Sequence, residues 1–148
     1  EKRVIGNWYD ANKAAELAGS LMDGGVDVIL PIAGGAGQGV IGAAKARGRY
    51  VVWFDGDGYA LSPGTIVGCS VLGQDKLVYQ KVKALLAAGG DALYGKADIV
   101  GAKEGYVDFD DSGEAYKNLP ETIRRSLDAR VAELRTGKKS FPITGLSQ

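Results

Sequence analysis

The chain has 148 residues, with 18 basic and 18 acidic side chains and no histidine. This balance argues against a surface for nucleic acid or for an anionic membrane, and the missing histidine removes the commonest general base and metal ligand. The single cysteine, Cys69, excludes a disulfide within the chain and a cysteine-rich zinc site, so we expect neither a metal site nor catalytic residues.

The first predicted elements are a short strand and a helix. Residues 3–6 are strand-like, and Asp10 occupies an N-cap position ahead of a helix. The helix is indicated by apolar residues at helical spacing, namely Ala14, Leu17, Ala18, Leu21 and Met22. Gly24 and Gly25 end it.

The middle of the chain alternates between apolar runs and helical patterns. Residues 28–33, 50–54 and 66–72 are predicted strands, and residues 40–46 and 75–88 are predicted helices. The residues expected to face inward on the second of these helices are Leu77, Val78, Val82, Leu85 and Leu86. Continuously apolar strands separated by helices predict a doubly wound α/β fold with a parallel sheet.

The last third has a different pattern. Residues 97–100 and 106–109 are predicted short strands, and an acidic turn covers residues 110–113. Pro120 begins a long amphipathic helix, with an apolar stripe of Ile123, Leu127, Val131 and Leu134. Residues 137–148 are loop-like.

The ligand site is expected at one edge of the sheet, because open parallel sheets bind ligands beyond the carboxyl ends of their strands. Three loops far apart in sequence reach that edge. The candidate binding residues that they carry are Asn7, Trp8, Gly34, Gly35, Asp55, Asp57 and Tyr59.

The residue types at this edge suggest a chemistry. Trp8 can stack on a planar ring, although core packing of Trp8 or Tyr9 is the alternative. Asp55 and Asp57 have no basic or nucleophilic neighbour in sequence, so they suit acceptance of hydrogen bonds from ligand hydroxyls better than acid–base catalysis. A purely turn-forming role for both stays open. Trp53, within an apolar strand, is interpreted as core, and Cys69 as a buried small apolar residue.

A glycine motif supplies a rival interpretation. Gly37, Gly39 and Gly42 satisfy G-x-G-x-x-G after a strand, with Asp55 at the end of the next strand. This pattern would fit a dinucleotide-binding oxidoreductase of Rossmann type. The motif starts after Gly34 and Gly35 have already made the turn. The simpler interpretation is therefore preferred, in which the small residues let helix and strand pack closely and let the loop approach a ligand without a diphosphate.

The ordered set of motifs resembles a known family. Residues 6–10, 25–29, 33–41 and 54–57 read GNWYD, GVDVI, AGGAGQGVI and FDGD. Together they are similar to the basic membrane protein family of solute-binding lipoproteins, whose best-known members are purine nucleoside receptors. The resemblance covers nearly the whole chain.

The resemblance implies a type I periplasmic-binding-protein fold, with two α/β lobes closing on a ligand. This chain would be the second lobe, with residues 1–105 as the ligand-binding lobe. Residues 106–148 would form a crossover strand and a C-terminal helix packing on the missing first lobe. The implied function is that of the substrate-binding component of an ABC importer rather than an enzyme.

The resemblance also assigns roles to the candidate residues. Trp8 stands where the family has a phenylalanine that stacks on the base, Gly34 and Gly35 line the pocket, and Asp55 and Asp57 lie near the sugar hydroxyls. Gly73 replaces a lysine that often holds the ribose. With the larger Trp8 ring, this change makes riboflavin an alternative to a purine nucleoside.

The partners implied are a small-molecule solute, the missing first lobe and a membrane ABC permease, with no nucleic acid and no cofactor besides the transported solute. The location implied is periplasmic or at the cell surface, through a lipid on the missing N-terminal part. A sensor or regulator with the same fold stays open.

Overall fold

A computed structural model describes residues 1–87, 95, 97–139 and 141. Its helices are α1 (Ala11–Asp23), α2 (Gly37–Ala46), α3 (Gln74–Ala87), α4 (Glu114–Lys117) and α5 (Glu121–Arg135). Its strands are β1 (Val28–Ile29), β2 (Tyr50–Trp53), β3 (Ile66–Leu72) and β4 (Val107–Asp110), in the sheet order β1-β2-β3-β4. The β1–β2 and β2–β3 pairs are parallel, which confirms the predicted α/β class.

Helix α1 forms as predicted, and the sequence signals for its start, its end and its buried face all match the structure. The Asp10 carboxylate accepts a 2.9 Å hydrogen bond from the amide of Lys13, and Gly24 follows the last helical residue. Ala14, Ala18 and Met22 are buried. The stripe read from the sequence is therefore the face that enters the core.

The core lies between the sheet and the pair α1 and α2. Its fully buried residues include Val51 of β2, Ile66 and Cys69 of β3. Gly39 of α2 lies so close to α1 that a Cβ there would overlap the carbonyl oxygen of Ala11. Small residues thus let the two helices approach closely, whereas the simpler interpretation of the glycine motif expected close packing of a helix on a strand.

Two predictions near the first strands are wrong. Residues 3–6 form no strand, and residues 1–8 instead line a groove of about 630 Å³ with parts of α1 and the β1 region. Strand β1 is only Val28–Ile29, and Leu30 and Ile32 are exposed. The physical reason is pairing, because β1 is the edge of the sheet in the part of the chain that the structure describes. An apolar run can be buried on both faces only when neighbours cover it.

The predicted helix at residues 40–46 begins earlier, at Gly37. A 3₁₀ turn at Gly34–Ala36 leads directly into it, so the glycine stretch is helical and not an open loop. The predicted strands at residues 50–54 and 66–72 are confirmed as β2 and β3.

The chain divides into two compact units, Glu1–Val71 with Phe109–Arg124 and Leu72–Asp108 with Arg125–Gln148. In the first unit, Asp110 ends β4 and its carboxylate accepts a 2.9 Å hydrogen bond from the amide of Ser112, which closes the predicted turn. The unpredicted helix α4 follows and buries Tyr116, whose ring packs edge-to-face on Phe109 at 5.7 Å.

The second unit holds α3 and most of α5, and neither helix has a fully buried residue. The expectation that α3 faces inward is wrong, because Val78, Val82, Leu85 and Leu86 are exposed and only Leu77 is partly covered. Residues 97–100 also form no strand. An apolar stripe shows which face of a helix can be covered, but not what covers it.

The end of the chain is described only in part. Helix α5 begins just after Pro120, as predicted, and residues 136–139 form turns and bends. Residue 88 of the predicted second helix, and the predicted tail at residues 140 and 142–148, lie outside the described residues.

Candidate functional site

A cavity of about 520 Å³ lies beyond the carboxyl ends of β1 and β2. This volume is in the range of small-molecule sites. Three segments line the cavity, contributing Trp8, Pro31, Ile32, Ala33, Gly34, Trp53, Phe54, Asp55 and Gly56. Of the candidate binding residues, the structure brings Trp8, Gly34 and Asp55 together here.

Trp8 is held by its backbone while its side chain stays accessible. The amide of Ala36 donates a 3.1 Å hydrogen bond to the carbonyl oxygen of Trp8. Gly34 has a φ of +54°, and a Cβ there would lie 3.2 Å from the same oxygen. The Trp8 residue is 66% exposed, so its indole is available to stack on a planar ligand.

Asn7, the residue before Trp8, stabilises the backbone turn and does not contribute to the cavity. Its side-chain oxygen accepts hydrogen bonds from the amides of Tyr9 at 3.1 Å and Asp10 at 2.8 Å. These bonds turn the backbone into α1. Asn7 does not line the 520 Å³ cavity, and its acceptor is already used.

Asp55 has an unusual backbone and an unused side chain. Its φ of 71° makes it the one non-glycine residue with a positive φ among the described residues. Such conformations persist where the surrounding structure holds them, and they concentrate at functional sites. Within the described residues the Asp55 carboxylate has no hydrogen-bond or ion-pair partner, so it is available to a ligand.

Asp57 and Gly35 lie on the same loops but outside the cavity lining. The Asp57 carboxylate accepts a 3.0 Å hydrogen bond from the amide of Tyr59, as in the turn-forming alternative. A Cβ at Gly35 would lie 3.5 Å from the carbonyl oxygen of Trp8. Gly35 therefore packs beneath Trp8, and Asp57 supports its own loop.

Tyr59 is committed to a contact within the protein. Its hydroxyl donates a 2.5 Å hydrogen bond to the carbonyl oxygen of Asp110. Burial, and then the nearby Cys69, Asp110 and Asp111, raise the pKa of Tyr59. The hydroxyl is therefore protonated and occupied, and Tyr59 does not line the cavity.

Trp53 is a site residue that the sequence interpretation missed. Its ring packs on the core and also lines the cavity. Gly37 and Gly58 make room for it, because a Cβ at Gly37 would lie 3.2 Å from the ring and one at Gly58 would overlap it. A signal existed, since Trp53 lies near the carboxyl end of a predicted strand, and ligands of open parallel sheets bind beyond such ends.

The glycine motif does not form a phosphate cradle. The amide of Ala36 donates to the carbonyl oxygens of Trp8 and Ala33. The amide of Gly37, the first residue of α2, donates to those of Gly34 and Gly35. Gly39 is used for packing against α1. A pyrophosphate would need such amides free, so the geometry disfavours the dinucleotide alternative.

Cys69 is buried, as expected, and its sulfur accepts a 3.3 Å hydrogen bond from the amide of Gly58. Burial raises the pKa of the Cys69 thiol, which suppresses the reactive thiolate. Among the described residues, no group of three or more His, Cys, Asp or Glu could hold a metal ion. No described helix is long and apolar enough to cross a membrane.

Residues 1–134 match the family model Bmp, described as ABC transporter substrate-binding protein PnrA-like. The chain belongs to this family. Basic membrane protein D of Borreliella burgdorferi (strain JD1) is a relative, 31% identical over 128 residues. The match covers 84% of this chain but 37% of that protein.

Solved structures with a similar fold cover nearly the whole chain. A transcriptional activator of the comK gene from Bacillus halodurans matches with a TM-score of 0.74 and 29% identity, over 95% of this chain and 47% of that one. An ABC solute-binding protein from Conexibacter woesei DSM 14684 matches with a TM-score of 0.69 and 20% identity, over 96% and 46%. An ABC solute-binding protein from Aeropyrum pernix K1 matches with a TM-score of 0.61 and 24% identity, over 97% of this chain and 35% of that one.

These similarities show that the fold is that of a periplasmic-binding-protein lobe. The chain spans less than half the length of each of these relatives.

Proposed function

We propose that the chain is one lobe of the solute-binding protein of an ABC importer. Its ligand is a planar heteroaromatic ring with hydroxyl groups, either a purine nucleoside or riboflavin. The observation that carries the proposal is one cavity lined by both Trp8, whose indole is exposed, and Asp55, whose carboxylate has no partner among the described residues.

The apolar part of the cavity suits a flat ring. Trp8 and Trp53 both line it, and aromatic pairs contribute about 0.5–1.5 kcal/mol beyond the area they bury. Gly34, beside Trp8, has no side chain to hold a ring away. Two indoles offer a larger surface than a bicyclic purine needs, which favours the tricyclic ring of riboflavin.

The polar part suits hydroxyl groups. Asp55 can accept hydrogen bonds from a ribose or a ribityl chain, and bonds to a charged group contribute about 1.5–3 kcal/mol each. Asp57 and Gly35, on the same loops, are supporting candidates, and Asn7 and Tyr59 act through the backbone they hold. No proton needs to move, so binding requires no catalytic group.

The second unit extends the expected contact with another lobe. Helix α3 exposes Val78, Val82 and Leu86, and α5 exposes Leu127. We propose that these faces pack on the rest of the complete protein, so that residues 72–108 join the predicted segment 106–148 in meeting the first lobe. Closure of two lobes over the solute would then present a surface to the permease.

The same proposal gives the location. An importer's binding protein works outside the cytoplasmic membrane, in the periplasm or at the cell surface. We propose that a lipid on the N-terminal part of the complete protein holds it there. A purified membrane fraction that releases the protein only with detergent would support the lipid anchor.

The test compares affinities of the complete protein, as the cell makes it, for adenosine and riboflavin by titration calorimetry. Trp8→Ala and Asp55→Ala should each weaken binding of the true ligand by at least about tenfold. Tyr9→Ala is the matched control, because Tyr9 is 81% exposed and does not line the cavity. Unchanged affinity in both cavity variants would reject the assignment.

A regulatory protein is the second candidate, because a solved structure 29% identical to this chain is described as a transcriptional activator. The two roles separate in a deletion strain. An importer component is required for solute uptake while transcription of other genes is unchanged. A regulator changes transcription even when uptake is supplied by another route.

A further inference from the structure

The loop of residues 55–58 needs support from outside itself. It leaves β2, carries Asp55 into the cavity lining, and holds Asp55 at a φ of 71°. A non-glycine residue keeps such a conformation only when surrounding contacts over-determine it. Contacts at the far end of the loop are therefore candidates for holding Asp55 in this conformation.

Two contacts fix the loop at Gly58. Its amide donates a 3.3 Å hydrogen bond to the sulfur of Cys69 in β3. The Trp53 ring packs on Gly58 so closely that a Cβ there would overlap it. These contacts position the end of the loop on the sheet.

A third contact closes the loop from a distant part of the sequence. The Tyr59 hydroxyl donates a 2.5 Å hydrogen bond to the carbonyl oxygen of Asp110, 51 residues away. The Tyr59 ring covers Gly113, where a Cβ would overlap it. The turn after β4 is itself held, because the Asp110 carboxylate accepts a hydrogen bond from the amide of Ser112. We name the contacts of Tyr59 with Asp110 and Gly113 the Tyr59 clasp.

We infer that Tyr59 is a positioning residue for solute binding, which fastens the Asp55 loop to the β4–α4 turn through the Tyr59 clasp. This inference rests on the proposed function. Tyr59 does not line the cavity, so its influence on the solute passes through Asp55. Gly113 belongs to the same device, because its missing side chain is the space that the Tyr59 ring fills.

The first readout requires no ligand. Cys69 is the chain's only cysteine and lies beneath Gly58, so its alkylation by N-ethylmaleimide reports opening of the loop. Peptide mass spectrometry measures the rate at Cys69 in the complete protein. Tyr59→Phe removes the hydroxyl bond, and Gly113→Ala displaces the ring while leaving the hydroxyl. Each should raise the rate at least about threefold, because exchange of a buried group follows local opening.

The control for this readout is Tyr9→Phe, which removes a hydroxyl from an 81% exposed ring beside Trp8. It should leave the rate unchanged. Rates are compared without denaturant, at a temperature at which circular dichroism shows that all variants are folded. An unchanged rate in both Tyr59→Phe and Gly113→Ala would overturn the inference.

The second readout separates positioning from general stability. In a double-mutant cycle, Tyr59→Phe should weaken binding of riboflavin or adenosine about three- to tenfold when Asp55 is present, but less than about twofold in an Asp55→Asn background. Equal losses in both backgrounds would show that Tyr59 does not act through Asp55. If Asp55→Asn alone has no effect, the role of the Asp55 carboxylate fails, and with it the claim that Tyr59 acts on the solute through Asp55. The proposed function is decided separately, by Trp8→Ala together with Asp55→Ala, and the alkylation rate still decides whether Tyr59 fastens the loop.

Discussion

The backbone amide of Ala36 donates a 3.1 Å hydrogen bond to the carbonyl oxygen of Trp8. This bond joins the segment before α1 to the turn after β1, two parts of the sequence that meet only in the fold. The Trp8 indole is exposed above it. The position of the proposed stacking surface therefore depends on the glycine turn and not on the packing of the indole.

Gly34→Ala tests this dependence. The substitution puts a side chain at a φ of +54° and 3.2 Å from the carbonyl oxygen of Trp8, so Trp8 must shift. We expect affinity for the solute to fall about three- to tenfold, with a stability loss of about 1–2 kcal/mol. Calorimetric titration and urea unfolding measure the two effects. Gly42→Ala, where a Cβ meets nothing within 4 Å, should leave affinity unchanged.

The glycines of α2 give a prediction with opposite signs. A Cβ at Gly39 would overlap the carbonyl oxygen of Ala11, so Gly39→Ala should destabilise the protein by about 1–3 kcal/mol through overpacking. Gly42→Ala adds a better helix former in open space and should stabilise by up to about 1 kcal/mol. Urea unfolding of both variants checks this. Equal effects would contradict close packing of α1 on α2.

The local elements were predictable because their signals are local. Asp10 caps α1 and Pro120 precedes α5, so short-range chemistry sufficed for both. The prediction of a strand at residues 3–6 was wrong, because a strand needs a hydrogen-bonded neighbouring strand and the local sequence does not show whether one is present. Val82 and Leu86 were wrong as inward residues for a similar reason, since an apolar stripe does not show which residues will cover it, and both are exposed.

The site was predictable only in part. Open parallel sheets bind ligands beyond the carboxyl ends of their strands, and this rule predicted the place of the cavity and the presence of Trp8, Gly34 and Asp55 in its lining. It could not show that the Tyr59 hydroxyl bonds to Asp110, because that contact joins residues 51 apart in sequence. It also could not show that Trp53 lines the cavity, because a tryptophan within an apolar strand is interpreted as a core residue.

Stability should fall in alkaline solution. Burial raises the pKa of the Cys69 thiol in the folded state, whereas the pKa of a thiol in an unfolded chain is about 8.5. The unfolded chain therefore loses its proton first, so the stability contributed by the neutral thiol is present below about pH 8.5 and is lost as the pH rises above it.

Urea unfolding between about pH 8 and 10 tests this dependence. Wild type should lose stability over this interval, and Cys69→Ala should lose less, although its stability at neutral pH is lower because a buried side chain is shortened. Parallel curves for the two proteins would contradict a buried, neutral Cys69. Tyr59→Phe should change the pH dependence of stability only above about pH 10, where a tyrosine in the unfolded chain ionises, because burial raises the pKa of Tyr59 in the folded state.

The exposed face of α3 should have opposite effects in two contexts. Val78 and Leu86 are 61% and 78% exposed. In the 148-residue chain alone, Val78→Gln with Leu86→Gln should reduce self-association measured by analytical ultracentrifugation. In the complete protein the same change should destabilise by about 1–3 kcal/mol, because an apolar contact with the first lobe is lost. Lys83→Gln on the same helix is the neutral control.

The central claim is that the chain binds a hydroxylated heteroaromatic solute. The most direct measurement is to purify the complete protein without added ligand, denature it, and analyse the released small molecule by absorbance and mass spectrometry. Release of a purine nucleoside, or of riboflavin with its visible absorption band, is the result expected. Release of a nicotinamide dinucleotide would contradict the account, and so would an empty protein that binds neither adenosine nor riboflavin on titration.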